Sequence, residues 1–297
     1  MNQSKSRLAY LLILPVVLYV MAFIVYPVFN VIQMSFTDRL LTDPSSGNFV
    51  GLASYRKIFT DPVTLTALKN TCVYVLGGVA LTMLLGILVG QVLSCSTPFT
   101  SITTGLILIP WALPPVIIAS VWKWMLHPQM GIINDILMKS RLIDKVIPFL
   151  SDPKKALFVL VAVLAWRLFP FQGIMVSAAI KGIPQERYEA AMVDGANVFQ
   201  RFFYITIPGI KFLLMTTSLM NTIWILNSIA LVLIMTGGGP LHYTELISTH
   251  LYKTGFKYYR FGEASVLSVA NFIIILILSI LYLYLFRSSW KRVVTKR

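Results

Sequence analysis

The chain has 297 residues, of which 57% are hydrophobic and only 12% are charged, and its mean hydropathy is +0.78. Because a soluble domain carries about 25% charged residues, this composition excludes an ordinary soluble protein. The formal net charge of +14 would suit a nucleic-acid binder, but the Lys and Arg residues are dispersed along the chain. We therefore attribute the charge to membrane topology and lipid headgroups, and we expect no nucleic-acid partner.

Hydropathy divides the chain into six apolar spans, each long enough for the roughly 20 residues that a membrane-crossing helix needs. The runs are continuously apolar and do not alternate, which favours helices over barrel strands. We predict an all-α membrane protein with six transmembrane helices in a single transmembrane domain, residues 1–297. The predicted spans are about 8–36, 67–95, 101–126, 156–180, 208–236 and 263–286.

Prolines interrupt two of these spans. The first span is too long for the 7–15-residue apolar region of a signal peptide, so we predict a retained anchor helix, kinked near Pro15 and again at Pro27. The third span contains three prolines within 110–115, which predict a bent or irregular segment. Non-helical backbone at that depth needs cover from protein or water, so we expect a packed bundle.

The loops suggest an orientation. The tail from Arg287, RSSWKRVVTKR, holds five basic residues and no acid, which indicates a cytoplasmic end. Six spans then place the N-terminus and the loop 181–207 on the same side. The remaining loops differ little in net charge, so the predicted orientation depends on the basic tail.

The sequence lacks recognisable catalytic and nucleotide-binding motifs such as HExxH, GxSxG and GxxxxGK[ST], and it has no His and Cys cluster at metal-ligand spacing. We therefore predict no catalytic residue, no metal and no cofactor bound by this chain. The span interiors hold almost no acids, although proton- and sodium-coupled carriers commonly use them. A transporter of this kind would have to draw its energy from a partner protein.

The most informative polar stretch is residues 189–208, EAAMVDGANVFQRFFYITIP. Its spacing predicts a short surface helix, a break at Gly195, a second short helix, and then Pro208 at the start of the fifth span. Glu189 and Asp194 supply charges for a socket on another protein, as in helix-in-groove docking. On spacing alone, an ordinary amphipathic helix at the membrane surface is an equal alternative.

The pattern E-A-A, three residues, G, nine residues, I-x-L-P is that of the EAA loop of ATP-binding-cassette importer permeases, and this stretch closely resembles it. Ile207 stands where leucine is usual. The resemblance covers nearly the whole chain and is strongest for the carbohydrate branch, of the maltose and glycerol-phosphate type. The supporting stretches are FVGLASYRKIFTDP from Phe49, VWKWM at the end of the third span, GIIND from Gly131, TGGGP at 236–240, TELISTHLYKTGF from Thr244 and FGEASVLSVANF from Phe261.

The resemblance implies a type I importer permease in a bacterial cytoplasmic membrane, with both termini cytoplasmic. It also implies a second homologous permease subunit, two ATP-binding cassette subunits that bind ATP and Mg, and an extracytoplasmic solute-binding protein. The chain would be a transport subunit that moves a carbohydrate by alternating access and is coupled to the ATPase through the loop 181–207. The residues implied in the coupling are Glu189, Ala190, Ala191, Asp194, Gly195, Ile205 and Pro208.

Five polar or aromatic residues within the spans are candidates for substrate contact. Asn221, Trp224 and Ser228 are spaced i, i+3, i+7 and would share a helix face, with Asn227 beside it. Residues just before the GGP turn contact sugar in maltose-type permeases, although Asn and Ser also form ordinary helix–helix hydrogen bonds. Arg167, in the fourth span, could bind an anionic substrate, pair with carbonyl groups or extend towards the membrane surface.

Other readings remain open at this point. The same architecture could carry a polyol, a sugar phosphate or an amino acid. A protein of a different class, a membrane scaffold or sensor that binds a soluble partner through the inner loop, would also fit. An integral-membrane enzyme is disfavoured by the scarcity of acids and histidines within the spans.

Overall fold

The computed structural model of the chain describes residues 3–95 and 100–294, with side chains for 12–95 and 100–284. In these ranges the regular structure is helical, with two isolated β-bridges and no strand. The helices are α1 (Gln3–Val20), α2 (Tyr26–Met34), α3 (Ala53–Thr60), α4 (Pro62–Ser94), α5 (Thr100–Ala112), α6 (Pro115–Met125), α7 (Ile132–Lys139), α8 (Ala156–Lys181), α9 (Gln185–Val193), α10 (Val198–Arg201), α11 (Ile207–Leu226), α12 (Ala230–Met235), α13 (Ile247–Tyr252) and α14 (Phe261–Val294).

The helices confirm the predicted all-α membrane fold. Five helical segments of the described chain are long and apolar enough to cross a membrane, and a sixth span is formed if the bent pair α5 and α6 is counted as one. The last residues of the basic tail, 295–297, lie outside the described residues. The five continuous segments are Leu12–Met34, Pro62–Ser94, Ala156–Lys181, Val198–Leu226 and Phe261–Tyr284.

The first span is irregular at one place, which differs from the prediction. Helix α1 continues through Pro15, and a π-helical turn at Met21–Val25 separates it from α2. Pro27 has no N–H to donate one turn back along the helix. The wider turn accommodates this loss, and the N–H of Tyr26 donates to the carbonyl of Met21. The kink expected at Pro27 is therefore a π-turn directly before it.

The prediction of a bent third span is confirmed, because α5 and α6 meet at an angle of 91°. Pro110 lies inside α5 without ending it. The break comes at the adjacent prolines, where Pro114 is extended with a ψ of 138° and Pro115 opens α6. A residue that precedes proline is driven out of the helical region by a steric clash, which accounts for the position of the bend.

The prediction of one continuous fifth span, 208–236, is wrong. The helical run begins earlier, at Val198, and α11 ends at Leu226, so α12 is a separate short helix. Asn227 caps α11, with its side-chain amide donating to the carbonyl of Ile223 at 2.9 Å. Side chains of this type compete with backbone hydrogen bonding and favour helix ends.

The chain forms two compact units, Met1–Leu65 with His250–Ile273 and Thr66–Thr249 with Ile274–Arg297. In the first unit, the loop after α2 is held by backbone hydrogen bonds, from Gly262 to Arg39 and from Leu41 to Tyr259, both 2.9 Å long. Lys57 and Glu263 form an ion pair of 2.6 Å in the same unit. The single-domain description of the chain stays a prediction.

The second unit is built around α8, which packs closely on α4. A stripe on α4, spaced four residues apart, consists of Gly78, Thr82, Gly86 and Gly90. A Cβ at Gly90 would lie 2.6 Å from the Cβ of Val176, so the two helices approach too closely for a larger residue. Small residues at such spacing permit close helix packing in membranes, where van der Waals contact drives association.

Candidate functional site

The predicted helix–glycine–helix segment between the fourth and fifth spans is present. Helix α9 ends at Val193, and Gly195 has a φ of +80°. The N–H of Ala196 donates to the carbonyl of Ala191 at 2.8 Å, and that of Gly195 donates to Met192 at 3.1 Å. A left-handed residue just past a helix end is usually glycine, because a side chain there is strained. Gly195 therefore sets the turn between α9 and α10.

A reciprocal cap starts α10, and sequence reasoning missed it. The side-chain oxygen of Asn197 accepts a hydrogen bond from the N–H of Gln200 at 2.9 Å, and the side-chain oxygen of Gln200 accepts one from the N–H of Asn197 at 2.8 Å. This is a capping box, which satisfies two backbone donors at once. The spacing Asn-x-x-Gln after a glycine was the available signal.

The second short helix does not stop before the membrane. Helix α10 continues through a π-helical turn, Phe202–Thr206, directly into α11. Pro208 thus lies in the first turn of α11 within a continuous helical run, not after a break. The hydroxyls of Tyr188 and Thr206 are 3.0 Å apart and hydrogen-bonded, which ties α9 to the base of the fifth span. We call residues 185–206 the inner hairpin.

Several predicted coupling residues meet at one concavity of the inner hairpin, with a volume of about 290 Å³. Ala191, Asp194, Gly195 and Ile205 line it, together with Tyr204. Glu189, Ala190 and Pro208 are exposed but lie outside this lining.

The inner hairpin also exposes large apolar side chains. Val193 is 89% exposed, Tyr204 80% and Phe199 75%. Exposed apolar side chains of this kind are typical of surfaces that contact another protein or a membrane.

The predicted substrate residues are not all accessible. Asn221 is 1% exposed, and its amide donates to the side-chain oxygen of Gln172 at 3.2 Å. The expectation that Ser228 continues the face of Asn221 and Trp224 is wrong, because α11 ends at Leu226 and Ser228 follows the cap residue Asn227. Asn227 is exposed and Ser228 is half-buried.

Three aromatic rings from three helices meet near these residues. Trp111 of α5 stacks on Phe171 of α8 at a centroid distance of 5.2 Å, and Phe171 contacts Trp224 of α11 at 5.4 Å. Arg167 of α8 is half-buried. Within the described residues, no group of three or more His, Cys, Asp and Glu side chains is placed to hold a metal ion.

These features place the chain in a known class of membrane proteins. Residues 82–294 match the family model of the binding-protein-dependent transport system inner membrane component, and the chain belongs to this family. It is a permease subunit of the ATP-binding-cassette importer type.

Particular relatives span nearly the whole chain. It is 32% identical over 286 residues to the trehalose/maltose transport system permease protein MalF of Thermococcus litoralis, covering 95% of each chain. It is 30% identical over 292 residues to the sulfoquinovosyl glycerol transport system permease protein SmoG of Agrobacterium fabrum, covering 97% of this chain and 93% of that protein.

A solved structure shares the fold. A chain of a bacterial ABC transporter involved in the import of the acidic polysaccharide alginate superposes with a TM-score of 0.80 at 23% identity, over 96% of both chains. A second structure, of a bacterial alginate ABC transporter in complex with an alginate-pentasaccharide-bound periplasmic protein, gives a TM-score of 0.78 at 23% identity, over 94% of this chain and 93% of that chain. The predicted permease fold is thereby confirmed.

Proposed function

We propose that this permease subunit conducts a carbohydrate and is driven by a separate ATPase that docks on the inner hairpin. The observation that carries the proposal is the join between the hairpin and the fifth span. The hairpin exposes apolar side chains for a partner, and the hydrogen bond between the hydroxyls of Tyr188 and Thr206 fixes α9 to the same helical run that enters the membrane. A force on the hairpin is therefore applied directly to α11.

The carbohydrate substrate is supported by the named functions of the relatives. One relative is named for trehalose and maltose and another for sulfoquinovosyl glycerol. Both are sugars or sugar derivatives, and both relatives cover more than nine-tenths of this chain. A polyol, a sugar phosphate or an amino acid is the alternative cargo within the same architecture.

The proposed assembly contains a second homologous permease, two ATPase subunits that bind ATP and Mg, and an extracytoplasmic solute-binding protein. This chain would cross the bacterial inner membrane with both termini in the cytoplasm, so that the inner hairpin meets the ATPase. Membrane lipid would cover the exposed apolar side chains of the spans. Catalysis would belong to the ATPase partner alone.

The proposed mechanism is alternating access between two states of the bundle. Closure of the ATPases on ATP would move the inner hairpin, and α11 would carry the motion to the substrate path. The binding energy of one partner then biases a two-state equilibrium in another. The residues that we assign to this coupling are Glu189, Ala190, Ala191, Asp194, Gly195, Ile205 and Pro208.

The proposed carbohydrate contacts lie at the end of α11. Trp224 and Asn227 are exposed and Ser228 is half-buried, so an aromatic ring, an amide and a hydroxyl are available to a sugar there. Asn221 is inaccessible in this conformation and serves the contact between helices. Arg167 is the remaining candidate.

The test uses the complete complex reconstituted in liposomes, with Gly195→Pro in this subunit. Proline fixes φ near −65° and has no N–H, whereas Gly195 has a φ of +80° and donates to Met192. Gly195→Asn is the matched control, because asparagine tolerates the left-handed region. We expect uptake and substrate-stimulated ATP hydrolysis to fall about tenfold or more in the proline variant and to persist in the control. Unchanged uptake in an assembled proline variant would show that the inner hairpin does not couple ATP hydrolysis to transport.

A further inference from the structure

A cationic side chain lies at mid-membrane depth in the second unit. Arg167 belongs to α8, which runs over Ala156–Lys181. At about 1.5 Å of rise per residue, Arg167 is roughly 16 Å from the start of this helix and roughly 21 Å from its end. The hydrocarbon core of a bilayer is about 30 Å thick, so Arg167 lies near its centre. Arginines near helix ends can extend their side chains to the membrane surface, but Arg167 is too far from both ends of α8 to do so.

The charge of Arg167 has no balancing group among the side chains of residues 12–95 and 100–284. Its Nε is buried without a hydrogen-bond partner there, and no described carboxylate forms an ion pair with it. A nearby side chain is that of Tyr74, a buried phenol whose hydroxyl also has no partner within those ranges. A phenol carries no negative charge at neutral pH. The half-buried guanidinium is therefore left to water or to an anion from outside the described chain.

An aromatic surface lies one helical turn from this cation. Phe171 follows Arg167 by four residues on α8, so the two side chains share a face of the helix, with Cβ atoms about 5–6 Å apart. Phe171 is the middle ring of the aromatic triad, Trp111, Phe171 and Trp224. Trp111 is 37% exposed and Trp224 is 38% exposed, so neither indole is fully covered by the described chain. Aromatic walls with a single convergent charged group are typical of small-molecule sites.

We propose that Arg167 and the aromatic triad form a subsite for an anionic carbohydrate, a sugar that carries a carboxylate or a phosphate group. The guanidinium presents a planar fork of donors that fits such an anion through two parallel hydrogen bonds. The apolar face of the sugar ring lies against the exposed indoles. This inference rests on the proposed transport function and adds the charge of the substrate to it.

The test measures equilibrium binding of two radiolabelled disaccharides to the purified complete complex in detergent. Cellobiuronic acid and cellobiose differ in one carboxylate, which makes them a matched pair of probes. We expect the complex to bind the acid about tenfold more tightly or better at low salt, with the preference reduced as salt screens the pair.

Three variants of this subunit test whether the preference for the acid arises at Arg167 and the aromatic triad. Arg167→Gln should weaken binding of the acid about tenfold or more and leave cellobiose unchanged. Arg167→Lys should retain part of the preference, because the charge remains and the planar fork is lost. Trp224→Ala should weaken binding of both sugars, since both would use the ring face.

Equal binding of the two probes by the unaltered complex would overturn the proposal, as would an Arg167→Gln variant that keeps the acid preference or weakens both probes alike. If Arg167→Gln prevents assembly, the binding preference of the unaltered complex and of Arg167→Lys still tests the proposal. If neither prefers the acid, the proposal fails, and Arg167 is better explained as the ion-pair partner of an acidic side chain in another subunit.

Uptake is measured in parallel to separate the two proposals. If uptake of cellobiuronic acid is unaffected by Arg167→Gln, the importer function stands and the anionic subsite is overturned. If the complex binds the acid preferentially but takes up neither sugar, the subsite stands and the importer function is overturned.

Discussion

Gln172 in α8 and Asn221 in α11 are joined by a hydrogen bond of 3.2 Å between their side-chain amides, and both are almost completely buried. Gln172 also donates to the hydroxyl of Thr217 at 2.9 Å. The three side chains form a polar network between the fourth and fifth spans. Because all three side chains are buried, the network fixes the rotation of α8 against α11.

Replacement of Gln172 by leucine should destabilise the subunit by about 1–2 kcal/mol, because the amide N–H of Asn221 then has no acceptor. Ser218→Ala is the control, since Ser218 bonds the carbonyl of Met215 within its own helix. The measurement is the apparent thermal midpoint of the purified complex. A midpoint that falls equally in the two variants would show that the interhelical network does not contribute specifically.

The close approach of α4 and α8 gives a second prediction. A Cβ at Gly90 would lie 2.6 Å from the Cβ of Val176 and 2.8 Å from the carbonyl oxygen of Gly173, so Gly90→Ala should separate the helices and cost about 1–3 kcal/mol. At Gly105, also inside a helix, a Cβ meets no described atom within 4 Å, so Gly105→Ala should be neutral or stabilising. The two variants are compared by their protein yield in the membrane and by the thermal midpoint of the purified complex. Equal behaviour of the two alanine variants would contradict the packing argument.

The capping box at the start of α10 should affect coupling more than folding. Asn197→Ala removes the acceptor for the N–H of Gln200 and should cost about 1 kcal/mol of local stability, which loosens the hairpin at its turn. We expect reduced uptake per ATP hydrolysed, with membrane levels unchanged. Asn197→Asp keeps the acceptor and should behave as the unaltered protein. A normal ratio of uptake to hydrolysis in Asn197→Ala would show that the cap plays no part in coupling.

Local chemistry made much of this fold predictable from the sequence. The bend of the third span follows from Pro114 and Pro115, whose restrictions act on adjacent residues. The turn at Gly195 follows likewise from the left-handed conformation of one residue. The capping box at Asn197 was equally local and was predictable from its spacing.

Tertiary contacts account for what the sequence did not predict. Helix α12, which follows the end of α11, packs against α6, a contact between elements about 110 residues apart that local sequence does not show. The burial of Asn221 depends on the rotation of its helix towards Gln172. Polar residues alone do not fix such a rotation, because an amide in a spanning helix can face either a neighbouring helix or the substrate path.

The hydrogen bond between Tyr188 and Thr206 gives the last prediction, because it is the link by which α9 acts on the fifth span. Tyr188→Phe keeps the ring and removes one net hydrogen bond, at a cost of about 0.5–1.5 kcal/mol. We expect ATP hydrolysis to continue while uptake falls about two- to tenfold, since α9 can then move partly without α11. Tyr19→Phe, at a side chain 62% exposed on the first span, controls for loss of a tyrosine hydroxyl. Uptake and hydrolysis that fall together in Tyr188→Phe would mean that this hydroxyl supports ATPase docking, whereas no change in either would remove the link from the mechanism.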